Sequence, residues 1–193
     1  MLAKIYVYKC VVDDGTAPCV DGGLLSMTVC KPKVRASAKV GDIVIAFGTN
    51  SPPAPNRLVY VAKITGVVAG GSYFDQAKYQ KRKDCIYRRT PGGALKLVPG
   101  ASAHNTGTHA KDIGGPPDYP NAIALLSTDF RYFGGAGTDA WKEHAPHLKR
   151  MVEALGQGHR VNHAREVRDD LLTLVERTWK KFSRKVNGKP RHG

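Results

Sequence analysis

The feature that most limits how this chain can fold is a change of hydrophobic period at Gly137. Before it, apolar residues come in short runs separated by double glycines at 22–23, 70–71, 92–93, 114–115 and 134–135. Runs of this length, rich in β-branched and aromatic residues and closed by turn chemistry, read as strands. They are "KIYVYKCVV" (Lys4–Val12), "DIVIAFG" (Asp42–Gly48), "RLVYVAKITGVV" (Arg57–Val68), "DCIYRR", "ALKLVP" and "AIALLSTDF" (Ala122–Phe130). After Gly137 the spacing becomes helical. Trp141, Ala145, Leu148, Val152 and Leu155 fall on one face, with Pro146 in the first turn and Gly156 as a stop. A second helical pattern runs through Val167, Leu171, Leu174, Val175, Thr178 and Phe182, with Glu176 and Lys180 spaced as a pair on its outer face. The expected class is α+β. A small β-barrel or curled sheet over residues 1–138 would be followed by a helical extension over 139–182, packed on it. Residues 183–193, "SRKVNGKPRHG", are expected to form a mobile basic tail.

At 193 residues the chain can bury one proper core. Its charge narrows the class of partner. Thirty Lys and Arg against sixteen Asp and Glu leave a net +14, divided as +3 over residues 1–75, +4 over 76–140 and +7 over 141–193. Such a field draws polyanions, nucleic acid first among them. No apolar run reaches the roughly 20 residues that a bilayer needs, so no membrane partner is expected. The first residues, "MLAKIYVYKCVVDDG", alternate and lack a cleavage site, which points to a cytoplasmic protein. Cys10, Cys19, Cys30 and Cys85 form no C-x-x-C pair and are expected as free, buried thiols. Neither a phosphate-binding G-x-x-x-x-G-K-[ST] loop nor G-x-G-x-x-G occurs, so no nucleotide cofactor is expected. The oligomeric state is not legible.

The stretch "CKPKVRASAKVGDIVIAFG" (Cys30–Gly48) crowds Lys31, Lys33 and Arg35 just ahead of a buried strand. Pro32 suits the first turn of a short helix ending before Gly41, with Lys31 at its mouth. Lys31 and Arg35, four apart, share a face and could hold a phosphate or a base edge. The alternative is that Arg35 is buried and paired with a structural carboxylate such as Asp42 or Asp75.

The segments "YVYKCVVDDGTAPCVDGGLLSMTVCKPKVRASAKVGDIVIAFG", "VYVAKITGVV", "RKDCIY" and "LLSTDFRYFGG" resemble the nucleotide-modification-associated domain of the second type, and "GHRVN" (Gly158–Asn162) fits as well. The resemblance runs from Tyr6 to about Gly134. It implies a small bacterial or phage protein that works alongside DNA base-modification enzymes, which are themselves possible partners. A looser resemblance in strand order, to PUA-like barrels such as the EVE and YTH modules, implies a PUA-like β-barrel that holds a modified base. A flipped base needs a π-face, edge donors and acceptors, and cations for its phosphates. Tyr6, Tyr8, Tyr73, Phe74, Phe130, Tyr132 and Phe133 are the candidate stacking rings. Asp13, Asp14, Asp75 and Asp129 are the candidate acceptors, and Lys31 and Arg35 the candidate cations. The function expected is therefore a reader of modified or flipped bases in nucleic acid, most simply DNA.

Two other functions stay open: an enzyme using an aspartate of the same pocket, and an interaction partner of modification or restriction enzymes. Asp42 reads as a turn residue ahead of its strand. His104, His109 and Asp112 have a metal-site composition without diagnostic spacing, and no metal site is expected. His144 and His147, beside Glu143, read as an exposed helix face. The zinc-deaminase signature lacks its P-C-x-x-C half.

Overall fold

The computed structural model describes residues 2–51, 55–101, 109–156 and 158–191. The strands are β1 (Ile5–Lys9), β2 (Cys19–Asp21), β3 (Leu24–Met27), β4 (Ile43–Phe47), β5 (Leu58–Lys63), β6 (Gly66–Val68), β7 (Tyr87–Arg89), β8 (Leu95–Leu97), β9 (Ala124–Ser127), β10 (Asp129–Tyr132) and β11 (His159–Arg160). The helices are α1 (Pro32–Ser37), α2 (Ser72–Asp75), α3 (His109–Ile113), α4 (Pro146–Glu153) and α5 (Arg165–Lys181). They sort into two compact units. The first comprises Met1–Asp13, Gly41–Lys63 and Asp129–Gly193, and the second Asp14–Val40 and Ile64–Thr128.

The first unit is built on a five-stranded sheet in the order β10-β5-β4-β1-β11. The β1–β4 pair is parallel and the others are antiparallel. The run "IYVYK" of β1 alternates aliphatic with aromatic residues, not apolar with polar, and the strand is buried throughout. Its aliphatic face, Ile5 and Val7, joins Ile45, Phe47 and Val61 in a core that α4 and α5 complete with Leu148, Val152, Leu171 and Leu174. On the opposite face the register aligns Tyr8, Ala46, Tyr60 and Tyr132 in one row across four strands. Small Ala46 leaves room for the Tyr8 and Tyr60 hydroxyls to meet at 2.8 Å. The next row is Tyr6, Val44, Ala62 and Phe130. Both rows are buried.

The second unit holds a four-stranded sheet, β2-β3-β9-β6, and the hairpin β7-β8. Tyr73, Phe74, Ile86, Tyr87, Tyr119 and Leu126 are among its core residues. A buried polar network crosses it. Asp84, with no exposed surface, accepts from Ser26 Oγ at 2.6 Å and from the Tyr73 hydroxyl at 2.9 Å. Arg82 Nε donates to that same hydroxyl at 3.0 Å, and its Nη atoms donate to the Asp21, Cys19 and Leu24 carbonyls. Paired in this way, buried charges need no solvent.

The architecture is α+β, but the expected PUA-like β-barrel is not present: the three sheets are open. Closing a barrel would require the outer strands β10 and β11 to pair, and neither does so with the other. Two continuous apolar runs misled the barrel reading. Arg57–Val68 breaks into β5 and β6, and Ala122–Phe130 into β9 and β10, with the members of each pair in different sheets. No helix among the described residues is long and apolar enough to cross a membrane.

Candidate functional site

The site is built on the last turns of α5. This helix buries Leu171, Leu174 and Thr178 and carries Lys180 and Lys181 in its final turn. Opposite it, the segment from Thr138 to Ala145 passes Trp141 and Ala145 into the core. Between them lies a cavity of about 290 Å³, bounded also by Leu58 and Phe182. This is close to the smallest size of pocket that encloses an organic ligand. Its walls are Leu58, Ala140, Trp141, Ala145, Leu174 and Phe182, and its polar groups are Thr138, His144, Thr173, Arg177, Thr178, Lys180 and Lys181.

Trp141 is 6% exposed and packs on Phe47 with ring centroids 4.7 Å apart. Its indole Nε1 is buried and makes no hydrogen bond within the described residues. A buried donor left unpaired costs stability, so an orphan of this kind beside a cavity calls for an explanation. The titratable lining groups are all basic. Lys180 and Lys181 also suit the negative end of the α5 dipole, a purely structural use. Arg177, one turn earlier, is exposed.

The chain beyond α5 continues the positive strip. From Arg177 to Arg191 there are seven cations (Arg177, Lys180, Lys181, Arg184, Lys185, Lys189, Arg191) and no carboxylate. The tail, expected to be mobile, is instead tied down along β10 as far as Arg191. Tyr132 N donates to the Lys185 carbonyl, Asn187 N to that of Tyr132, Gly135 N to that of Lys189 and Arg191 N to that of Asp13, each at 2.8 Å. The "FGG" turn is the cradle. Gly134 has φ +62°, and a Cβ there would strike the Lys189 carbonyl, as one at Gly188 would strike that of Phe133.

The residues singled out from sequence lie elsewhere. Tyr6, Tyr8, Phe130 and Tyr132 share the buried aromatic face of the first unit. Asp13 meets them there, accepting from the Tyr132 hydroxyl at 2.9 Å through each carboxylate oxygen. Asp129 accepts from Trp179 Nε1 at 2.7 Å, and Asp42 from Lys4 N at 2.8 Å. In the second unit, Phe74 is buried edge-to-face against Tyr73 and Tyr87, and Asp75 pairs with Arg89 at 3.0 Å. Asp14 Oδ1 accepts from Thr16 N at 2.8 Å. Lys31, half-buried, precedes α1 with φ 44°. Arg35 is 1% exposed and gives its donors to carbonyls: Nε to Cys30, Nη1 to Asn121 and Ile123, and Nη2 to Asp112. Asp112 Oδ1 lies 3.6 Å from its Nη2.

His104 and the His109 side chain lie outside the described residues, as does part of the loop "TNSPPAPN". Among the described residues no three His, Cys, Asp or Glu side chains gather as a metal site. The cysteines form no disulfide among the described residues, and burial pushes the Cys19 and Cys30 thiols up to about 11, which keeps them protonated near neutrality. The periodicity of the helices marked Trp141, Thr178 and Phe182 as inward-facing but could not reveal a cavity between them. The available signal was a Thr on an apolar face beside a carboxylate-free run of cations.

The family model described as nucleotide modification associated domain 2 matches residues 2–192. No curated protein and no solved structure matches the chain. The matched span includes both units, the cavity and the cradled tail, and its name connects them to nucleotide-modification biology. By a match over almost its whole length, the chain belongs to the nucleotide modification associated domain 2 family.

Proposed function

We propose that the protein binds nucleic acid, taking one base into the cavity beside Trp141 while the cations of α5 and the tail hold the flanking phosphates. One observation carries this reading: a cavity of about 290 Å³ walled by Leu58, Trp141, Leu174 and Phe182 opens among Arg177, Lys180 and Lys181 and has no acidic group in its lining. Aromatic stacking inside and phosphate contacts outside are how unpaired bases are held. The lining has no carboxylate, so the alternative of an enzyme that uses an aspartate in this cavity has no aspartate there to use. On this reading Tyr6, Tyr8, Phe130 and Tyr132 serve the sheet, and the base meets Trp141 and Phe182 instead. The target is DNA carrying modified bases, and the role is that of a reader.

The test is an anisotropy titration of a fluorescent single-stranded oligonucleotide at two salt concentrations. Replacing Arg177, Lys180 and Lys181 together by Ala should weaken binding about tenfold or more and flatten the log–log salt slope by about 2, at about 0.7 per phosphate contact. A control triple, with the exposed Lys33, Lys81 and Lys96 of the second unit replaced, should leave that slope near the parent value. Equal losses in the two triples would mean that net charge alone binds, and would overturn the site.

A further inference from the structure

The cavity's functional groups are unequal in kind. Lys and Arg donate hydrogen bonds and accept none, whereas a hydroxyl or a neutral imidazole can do both. Lys180, Lys181 and Arg177 therefore present only donors, all positively charged, while the threonine hydroxyls can turn either way and the His144 ring has one nitrogen of each kind when neutral. No carboxylate or side-chain amide lines the space to receive an N–H or an ammonium group. A ligand with an amino substituent would bring a donor to donors and a cation to cations. A ligand rich in acceptors, or one carrying a negative charge, would pair with Arg177, Lys180 and Lys181 and neutralise the rim.

From this asymmetry we infer that the cavity selects nucleotides whose base modification is anionic or acceptor-rich, such as a carboxylated pyrimidine, and rejects amino-bearing ones. The inference rests on the base-in-cavity reading given above and adds its chemical selectivity. The discrimination comes from both sides, since the favoured group gains charge-assisted bonds and the disfavoured one is repelled.

Three probes on one scaffold test it: the 5′-monophosphates of 5-carboxy-2′-deoxyuridine, thymidine and 5-aminomethyl-2′-deoxyuridine, titrated calorimetrically into the full chain. All three share the phosphate, so differences report the base substituent alone. The carboxy compound should bind tightest and the aminomethyl compound weakest, with at least tenfold between them. Arg177→Gln should narrow that interval severalfold. Lys181→Gln should narrow it in the same direction. Thermal melts of both variants check that each is folded. Binding of all three probes with equal affinity, or tightest binding of the aminomethyl compound, overturns the selectivity and leaves the base-in-cavity reading standing. Binding of none of them overturns both.

Discussion

Arg35 shows how far one side chain's meaning depends on its surroundings. Three cations in five residues suggested a binding mouth, yet Arg35 turns inward and ties α1 to four backbone carbonyls and to Asp112. Burial weakens its hold on its proton and Asp112 opposes that, and the pairing offsets the cost of keeping a charge away from water. Arg35→Ala should therefore destabilise the fold by about 3–5 kcal/mol, read as a lower urea midpoint. Arg35→Lys should recover little, because an ammonium cannot reach four acceptors in the geometry of a planar fork. A midpoint unchanged by Arg35→Ala would overturn this structural role. Nearby Lys31 has the left-handed backbone that heads the short helix, whose Pro32 was legible from sequence.

Among the elements, the tail departs most from expectation. Its composition contains almost nothing to bury, and composition is the right guide when side chains supply the stabilisation. Here the backbone supplies it, through four hydrogen bonds to the first unit and a bridge between Tyr132 and Val186. At a net contribution of about 1 kcal/mol each, cutting the chain after Phe182 should cost a few kcal/mol and lower the melting temperature. Gly134→Ala should act in the same direction by evicting Lys189, and should speed amide exchange from Lys185 to Arg191. An unchanged melt in both would show the tail to be unanchored in solution. The helices were plainer. Leu148, Val152, Leu171 and Leu174 lie on the predicted faces because the apolar stripes of the two helices meet in one core with Ile5, Val7, Ile45 and Val61.

Across the whole molecule, the first unit takes residues from three separate stretches of chain. A fragment ending at residue 138 would keep its central strands but lose Leu148, Met151, Val152, Leu155, Leu171 and Leu174 from one core. Such a fragment should show no cooperative melt by circular dichroism. A sharp transition near that of the full chain would mean that the sheet stands without its helices.

Strand-forming runs, helical faces, the Pro-led short helix, the basic charge and the family motifs could all be read directly, because each depends on residue type and on spacing of fewer than about ten positions. The sheets could not. Whether Leu58–Lys63 and Gly66–Val68 share a sheet depends on pairing with β4, β9 and β10, which no local pattern reveals, and no turn signal as strong as a double glycine marks the switch. The candidate site was hidden for a similar reason. Tyr8 and Tyr132 carry the ring chemistry of a base pocket, but register places them in a buried row with Tyr60. Trp141 looks like an ordinary core residue until α5 stops short of filling the space beside it. Periodicity says which way a side chain points; what it points at is set by packing between elements distant in the chain.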